Sequence, residues 1–209
     1  MPVTICWSAK GGSGTTVVAA ALALAGRAES LLVDLDGELP AVLGLPEPGG
    51  QGIADWLASD AAAPAIADLA IAVDRTTSLV PRGTAGVDFA STRWPGLLSW
   101  LDAHGHAVID AGRRPPPNEL VPPGVRSLLV TRGCYLALRR AVASAARPHG
   151  VVLVAEPGRS LRRRDVEQSI GAPVVATVTL DPAVARAVDA GLLNAYLPRA
   201  LRRELRGAA

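Results

Sequence analysis

Short apolar runs alternate with helix-length segments along almost the whole chain, and this alternation constrains the fold more than any other feature. Most runs show no polar–apolar alternation, which is typical of strands buried on both faces of a sheet. Helical segments separate most successive strands, so those strands are joined by crossovers and run parallel. The sequence therefore predicts one α/β domain over residues 1–209, a mostly parallel sheet with helices on both faces.

The predicted elements follow one another with short connections. Strands are expected at residues 3–7, 31–34, 69–73, 78–80, 107–110, 127–131, 151–155 and 173–178. Helices are expected at residues 16–28, 51–58, 94–103, 136–146, 161–169, 183–193 and 199–206. The proline-rich segment 113–123 is interpreted as a surface excursion within the domain. In open parallel sheets, ligands bind at the carboxyl ends of the strands, so functional residues are expected there.

Composition excludes several classes of protein. The net charge of +2 predicts no bulk attraction to nucleic acid or membrane, and the 49% hydrophobic content excludes global disorder. Cys6 and Cys134 are the only cysteines and are separated by more than a hundred residues, which predicts free thiols in a reducing compartment. The start of the chain shows no secretory signal pattern, and the apolar run 17–25 is too short to span a bilayer. We therefore expect a cytoplasmic protein.

A glycine-rich segment lies between the first predicted strand and the first predicted helix. Glycines let successive backbone N–H groups converge on one anion, and the following helix adds the positive end of its dipole. The segment thus predicts a phosphate cradle, in which the Thr16 hydroxyl is a candidate ligand of Mg²⁺. The residues of this loop are Lys10, Gly11, Gly12, Ser13, Gly14, Thr15 and Thr16, and Lys10 is the only lysine among 21 basic residues.

Acidic residues end two predicted strands that flank this loop. Asp34 and Asp36 follow the second strand, and alternate positions on a strand face the same way, so both carboxylates are expected to point toward the phosphate site. Asp110 ends the strand at 107–110, where a carboxylate suits a water-mediated contact with Mg²⁺. A single aspartate at a strand end is more often a helix cap. Three of them around one loop favour a functional site.

The loop departs from the ordinary P-loop pattern G-x-x-x-x-G-K-[ST], because Thr15 stands where that pattern has lysine. It resembles instead the deviant P-loop of the MinD/ParA family, K-G-G-x-G-K-[ST]-[ST]. Segments 79–83, 171–176 and 181–191 resemble further motifs of that family, so the resemblance covers most of the chain. A small residue at the second lysine position is similar to the CpaE/TadZ branch. The residues that match the loop motif are Lys10, Gly11, Gly12, Gly14 and Thr16.

The resemblance implies a cofactor and roles for individual residues. It implies ATP with Mg²⁺ as cofactors. Thr16 and Asp110 would hold the Mg²⁺, and Asp34 would contribute to the same metal site. Asp36 would position the attacking water, and a Gly112 N–H would approach the γ-phosphate. Lys10 would reach the phosphates of a partner subunit, so that the chain forms a homodimer with nucleotide at its interface and hydrolyses ATP slowly. The asparagine with which the family reads adenine is missing from residues 154–157, so base specificity stays open.

The resemblance also implies a positioning or assembly factor with a protein partner in pilus, septum or partition machinery. Arginines at 162–164 and 199–206 suit DNA phosphates or, in the simpler interpretation, solvated helix faces. The segment 197–206 fits a short membrane contact or, better, a docked terminal helix. We therefore expect a cytoplasmic location, with the cell pole or the membrane periphery open. Alternative functions are a pseudo-ATPase scaffold, a ParA-like chromosome-partition ATPase, and a P-loop synthetase similar to dethiobiotin synthetase.

Overall fold

An eight-stranded sheet organises the computed structural model, which describes residues 3–26 and 28–208. Its strands lie in the order β3-β4-β2-β5-β1-β6-β7-β8, and all neighbours are parallel except β3, which runs antiparallel to β4 at the edge. The single-domain, mostly parallel α/β prediction is confirmed. The strands are β1 Val3–Trp7, β2 Ser30–Asp34, β3 Ile71–Ala72, β4 Thr77–Val80, β5 His106–Asp110, β6 Arg126–Arg132, β7 Gly150–Ala155 and β8 Val174–Thr179.

Eight α-helices and three short 3-10 segments cover the sheet in the described part of the chain. The helices are α1 Thr15–Ala25, α2 Leu39–Leu43, α3 Ile53–Leu57, α4 Trp94–Ala103, α5 Tyr135–Val142, α6 Arg163–Ile170, α7 Pro182–Asp189 and α8 Arg199–Glu204. The 3-10 segments are Ala63–Leu69, Asn118–Leu120 and Leu205–Gly207.

Both faces of the sheet carry a hydrophobic core. Along β1, Ile5 belongs to the layer formed with α3, α4, α5 and α6, while Cys6 belongs to the layer formed with α1, α2, α7 and α8. Both side chains are fully buried. Since successive residues of a strand point to opposite faces, two covered faces favour apolar residues at most positions. This explains the continuous apolar runs of the sequence.

The topology places the loop after β1 in the middle of the sheet. The chain leaves β1 toward the β4 edge, returns to β5, and then builds β6, β7 and β8 on the other side. Asp110 at the end of β5 pairs in register with Cys6 of β1 and with Asp34 of β2. The loop and the acidic strand ends therefore meet at one edge of the sheet, at a topological switch point.

Several predicted boundaries are wrong for local reasons. The predicted strand 69–73 shrinks to Ile71–Ala72, because a 3-10 segment occupies residues up to Leu69. The first helix ends at Ala25 rather than at residue 28, since Gly26 leaves the helical conformation. The helix expected at 183–193 ends at Asp189. Helix α2 was not predicted at all.

Three other helices are shorter than expected. Helix α5 ends at Val142 rather than at residue 146, and α3 covers only Ile53–Leu57 of the predicted 51–58. Helix α6 begins at Arg163 rather than at residue 161, because the Asp165 carboxylate accepts a hydrogen bond from the Arg162 N–H and so marks its start. Helix ends are the least certain part of such predictions, because caps decide them.

The carboxyl-terminal segment is docked on the sheet, as the simpler interpretation of residues 197–206 predicts. Leu201 and Leu205 are buried in the layer that contains α1, and Glu204 accepts hydrogen bonds from the N–H and hydroxyl of Thr179 in β8. The arginines of this segment are exposed. None of the helices in residues 3–26 and 28–208 is long and apolar enough to cross a membrane.

Candidate phosphate-binding site

The loop between β1 and α1 is built to present backbone donors. The N–H groups of residues 11–14 donate no hydrogen bond to any described residue. Gly12 and Gly14 have φ of 73° and 88°, a conformation that residues with a side chain rarely adopt. The Ser13 hydroxyl donates to the Lys10 carbonyl at 2.6 Å and closes the loop. Unpaired N–H groups before a helix N-terminus form an anion-binding concavity.

This loop forms the floor of a cavity of about 770 Å³. The walls come from the ends of β1, β2, β4 and β5 and from the segments that follow them. Polar and charged side chains make up much of the lining, as expected of a site for an anionic ligand with a metal ion rather than for an apolar molecule. The lining includes Gly11, Gly12, Ser13, Gly14, Thr15, Thr16, Asp36, Glu38, Arg82, Gly112, Arg113 and Arg114.

Asp34 and Asp36 do not share a direction, contrary to the prediction. Strand β2 ends at Asp34, so the alternation of a strand does not extend to Asp36 in the following turn. Asp36 lines the cavity. Asp34 is fully buried and accepts hydrogen bonds from the N–H groups of Asp36, Gly37 and Leu39 at 2.6–3.1 Å. Burial raises the pKa of Asp34 to about 6, although these three donors act in the opposite direction.

Asp34 therefore fixes the turn that presents Asp36. Its Oδ2 also holds the N–H of Leu39, the first residue of α2. Both oxygens are engaged with backbone donors, which is the structural partnership expected of a capping carboxylate. A direct contribution of Asp34 to a metal ion stays a prediction.

Asp110 has one satisfied oxygen and one free oxygen. Its Oδ1 accepts from the Gly112 N–H at 2.9 Å, while the buried Oδ2 has no hydrogen-bond partner among the described residues. Burial raises the pKa of Asp110 to about 7, opposed by the Thr16 hydroxyl and the Gly112 N–H and assisted by the charge of Asp34. A buried carboxylate oxygen without a partner is costly, and a water bound to a cation would satisfy it.

Gly112 touches Asp36 so closely that no side chain fits there. A Cβ on Gly112 would lie 2.2 Å from the Asp36 Cγ, and its φ is 58°. Its carbonyl accepts hydrogen bonds from the N–H and hydroxyl of Ser8. Its N–H, predicted to approach a γ-phosphate, donates to Asp110 here. That predicted contact requires the Gly112 N–H to exchange partners, so it stays a prediction.

Lys10 and Thr15 occupy different surroundings from those of an ordinary P-loop lysine. Thr15 is only 6% exposed and begins α1. Lys10 is half-buried, does not line the cavity, and donates from Nζ to the Gly11 carbonyl at 3.2 Å. The loop itself thus brings no cationic side chain into the cavity of its own chain.

Three arginines line the cavity, and the sequence analysis assigned none of them to the site. Arg82 donates from Nη1 to the Asp36 carbonyl at 2.8 Å, while its buried Nε has no partner among the described residues. Arg113 extends over Gly11, and Arg114 lies over the Phe89 ring at 5.3 Å. Segment 113–123, predicted to be a surface excursion only, therefore begins in the site. The available signal was the arginine pair directly after Gly112.

On the other side of the loop, an ion-paired cluster lies at the ends of β6 and β7. Glu156 accepts from Arg159 at 2.6 Å and from Arg132 at 3.3 Å. The hydrogen bond from Arg159 lowers the pKa of Glu156, and the charges of Arg132 and Lys10 add to the effect. Residues 154–157 at this strand end include no asparagine. Its charged groups mainly satisfy one another.

The residues present fit Mg²⁺ held jointly with phosphates. In residues 3–26 and 28–208, no three His, Cys, Asp or Glu side chains are placed to hold a metal ion by themselves. Mg²⁺ is usually bound through one or two carboxylates or hydroxyls, with waters and substrate phosphates as the other ligands. The Thr16 hydroxyl, which interacts with the Asp110 carboxylate, and that carboxylate together offer such an incomplete set.

Comparison with known proteins places the fold among P-loop ATPases. No protein-family model matches the sequence, and no curated protein matches it. A ParA family ATPase from Chlorobium tepidum aligns with a TM-score of 0.74 at 18% identity, over 97% of this chain and 96% of that chain. The fold is therefore that of MinD and ParA ATPases.

Two MinD structures extend the likeness. The septum site-determining protein MinD of Pyrococcus horikoshii, complexed with Mg-ADP, has a TM-score of 0.71 at 22% identity, over 97% of this chain and 93% of that chain. The MinC:MinD cell division complex of Aquifex aeolicus has a TM-score of 0.70 at 18% identity, over 99% of this chain and 94% of that chain. At such identities the likeness concerns the fold.

Proposed function

We propose that the chain is an ATP-binding positioning or assembly factor of the MinD/ParA type, acting as a nucleotide-dependent dimer switch. The observation that carries this proposal is the loop of unpaired N–H groups between β1 and α1, which opens on a cavity lined by Asp36, with the buried Asp110 carboxylate near Thr16. Related folds have been solved with Mg-ADP, which supports the choice of ligand. ATP and Mg²⁺ are the proposed cofactors.

Each loop element has a role in this proposal. The N–H groups of residues 11–16 bind the phosphates, and Thr16 with Asp110 holds Mg²⁺, which neutralises phosphate charge when bound. Asp36 positions the attacking water from the cavity wall. Hydrolysis is slow, because Thr15 supplies no charge to the phosphates.

Lys10 serves the dimer in this proposal. Its side chain is half-buried, donates a hydrogen bond to the Gly11 carbonyl, and does not line its own cavity. A second copy docked face to face would receive this ammonium at its phosphates, so nucleotide becomes part of the interface. Cargo or protein partners belong to pilus, septum or partition machinery, and the small residue at position 15 favours the CpaE/TadZ-like, pole-associated role.

The test is equilibrium binding of ATP, ADP and GTP with Mg²⁺, with molecular mass followed in solution. We expect saturable ATP binding and a monomer-to-dimer shift that Lys10→Ala abolishes while the monomer keeps ATP. Arg75→Ala, on an exposed turn at the far end of β4, is the matched control. Dimerisation that persists unchanged in Lys10→Ala would contradict the switch.

A pseudo-ATPase scaffold is the second candidate, and the buried Thr15 at the lysine position favours it. Nucleotide would then be a structural ligand, and protein partners would bind without turnover. Phosphate release from Mg-ATP that is lost in Asp36→Ala excludes this candidate. ATP binding with no release above background supports it.

A further inference from the structure

The loop lacks the cation that an ordinary P-loop brings to its phosphates, and one side chain lies where that cation is needed. Arg113 extends across the loop, with its Cδ 2.9 Å from the position that a Gly11 Cβ would take. It reaches there from the segment after β5, directly behind Gly112. A glycine at position 11 leaves the room for this crossing.

The positive charge of Arg113 is not neutralised by an ion pair with any described residue. Its side chain is exposed, and its guanidinium has no hydrogen bond or ion pair with any described residue. Asp36 and Glu38 line the same cavity, yet neither forms an ion pair with it in the described residues. An arginine held over unpaired N–H groups, and not neutralised by nearby carboxylates, favours an anionic ligand.

The neighbouring arginines differ from Arg113 in this respect. Arg82 donates to the Asp36 carbonyl and lies against Gly37, so it holds the turn that presents Asp36. Arg114 lies over the Phe89 ring. Both add positive potential to the cavity, but their guanidinium groups already have contacts. Arg113 is the arginine that faces the loop without one.

We propose that Arg113 replaces the missing P-loop lysine and binds the terminal phosphates of the nucleotide, so the cation comes from the chain after β5 instead of from the loop. The inference rests on the proposed nucleotide site and adds to it a specific phosphate ligand. The planar guanidinium offers two parallel N–H donors, which match two oxygens of a terminal phosphate.

The experiment measures affinity by calorimetry for two probes, Mg-ATP and inorganic tripolyphosphate. Removing one charge-assisted contact to phosphate weakens binding by about 10- to 100-fold, so Arg113→Ala should lose that much for both probes. Arg113→Lys should recover part of the lost affinity, because lysine keeps the positive charge but lacks the two parallel N–H donors of the guanidinium. Arg75→Ala is the control arginine and should bind both probes like the wild type.

A second variant tests the replacement itself. Thr15→Lys restores the ordinary P-loop lysine, so in the Arg113→Ala background it should bring affinity back to within about threefold of the wild type. Circular dichroism melting verifies that each variant is folded. If a bulky lysine at the buried position 15 unfolds the protein, the salt dependence of tripolyphosphate binding replaces this test, since Arg113→Ala should reduce its slope.

The outcomes are distinct. An affinity of Arg113→Ala within twofold of the wild type overturns the inference. Tighter binding by Arg113→Ala also overturns it, since the arginine would then obstruct the site. Wild-type binding of tripolyphosphate through Arg113, with no dimerisation in Mg-ATP, upholds the inference and contradicts the proposed function. Wild-type protein that binds neither probe contradicts both.

Discussion

The strand ends on the two sides of the glycine loop differ in how many of their polar groups have hydrogen-bond or ion-pair partners. The phosphate side comprises the loop and the ends of β2 and β5, with Asp36, Asp110 and Arg113. The base side, named for the position at which the family resemblance places the adenine-reading residue, comprises the ends of β6 and β7, with Arg132, Glu156 and Arg159. On the phosphate side, four N–H groups, the Asp110 Oδ2 and the Arg113 guanidinium have no partner in the described residues.

On the base side, Glu156 binds both arginines, and only the Arg132 Nε is buried without a partner. Proteins rarely leave buried polar groups unpaired unless water, an ion or a ligand completes them. The phosphate side is thus arranged for a ligand, whereas the base side largely completes itself. Recognition by this chain should depend mainly on phosphates and little on the base.

The largest expected effect comes from one backbone change made on both sides. Gly14 and Gly158 have φ of 88° and 80°, and a Cβ meets nothing closer than 4.0 Å at either. Substitution by alanine strains either backbone by roughly 1–2 kcal/mol and should lower both melting temperatures by a few degrees. Only Gly14→Ala should also disturb the converging N–H groups and weaken ATP by about 100-fold or more.

Calorimetry and thermal melting of the two variants decide this comparison. Gly158→Ala serves as the control for strain alone and should bind ATP like the wild type. Equal losses of affinity in the two variants would show that stability, rather than the loop geometry, governs binding.

The next effect compares one carboxylate on each side. Asp110→Asn keeps the shape but removes the carboxylate that would face Mg²⁺ in the proposed site, so the Mg²⁺-dependent part of ATP binding should fall by about tenfold or more. Glu156→Gln should leave it unchanged. The Asp110 carboxylate is buried and one of its oxygens has no partner among the described residues. Removing its charge should therefore also raise the melting temperature of the ligand-free protein, by about 2–4 °C for each kcal/mol gained in the free energy of unfolding.

Titration of ATP with and without Mg²⁺, together with melting of the ligand-free proteins, provides the measurement. Unchanged Mg²⁺ dependence in Asp110→Asn would remove Asp110 from the metal site. A lower melting temperature in the ligand-free variant would mean that the carboxylate stabilises the fold.

The features that local sequence determines were predictable, and those that need tertiary contacts were not. The strand–loop–helix around Gly14 and the strand end at Asp110 follow from local patterns. Helix α2 was missed because its first N–H is capped by Asp34 from β2 rather than by a residue just before it. The assumed common direction of Asp34 and Asp36 failed because the strand stops between them.

The arginines show the same limit more clearly. Arg82 bonds to the carbonyl of Asp36 across 46 residues of sequence. Arg113 reaches Gly11 from the segment that follows β5. The only local signal is the pair of arginines directly after Gly112, and it is weak because an arginine after a strand is ordinarily a solvated side chain. Only the parallel pairing of β1, β2, β4 and β5 brings them to one cavity.

A smaller effect separates positioning from binding on the phosphate side. Arg82→Ala removes the donor to the Asp36 carbonyl and should free the turn that holds the carboxylate. We expect Mg-ATP turnover to fall by about tenfold while affinity changes by less than about threefold, because Asp36 acts on water rather than on the bound phosphates. Steady-state rates and calorimetry give the two numbers. Parallel losses in both would make Arg82 a ligand-binding residue.

The smallest expected effect lies on the base side and tests the comparison most sharply. If Arg132 and Glu156 mainly neutralise each other, Arg132→Ala should change the ratio of ATP to GTP affinity by less than about threefold, because neither charge is then available to a base. Arg159→Ala, which removes the other partner of Glu156, is the matched control. The opposite outcome would involve the Arg132 Nε, which has no partner among the described residues. A base that accepted this N–H would make the ratio shift in Arg132→Ala alone, and recognition would then extend to both sides of the loop.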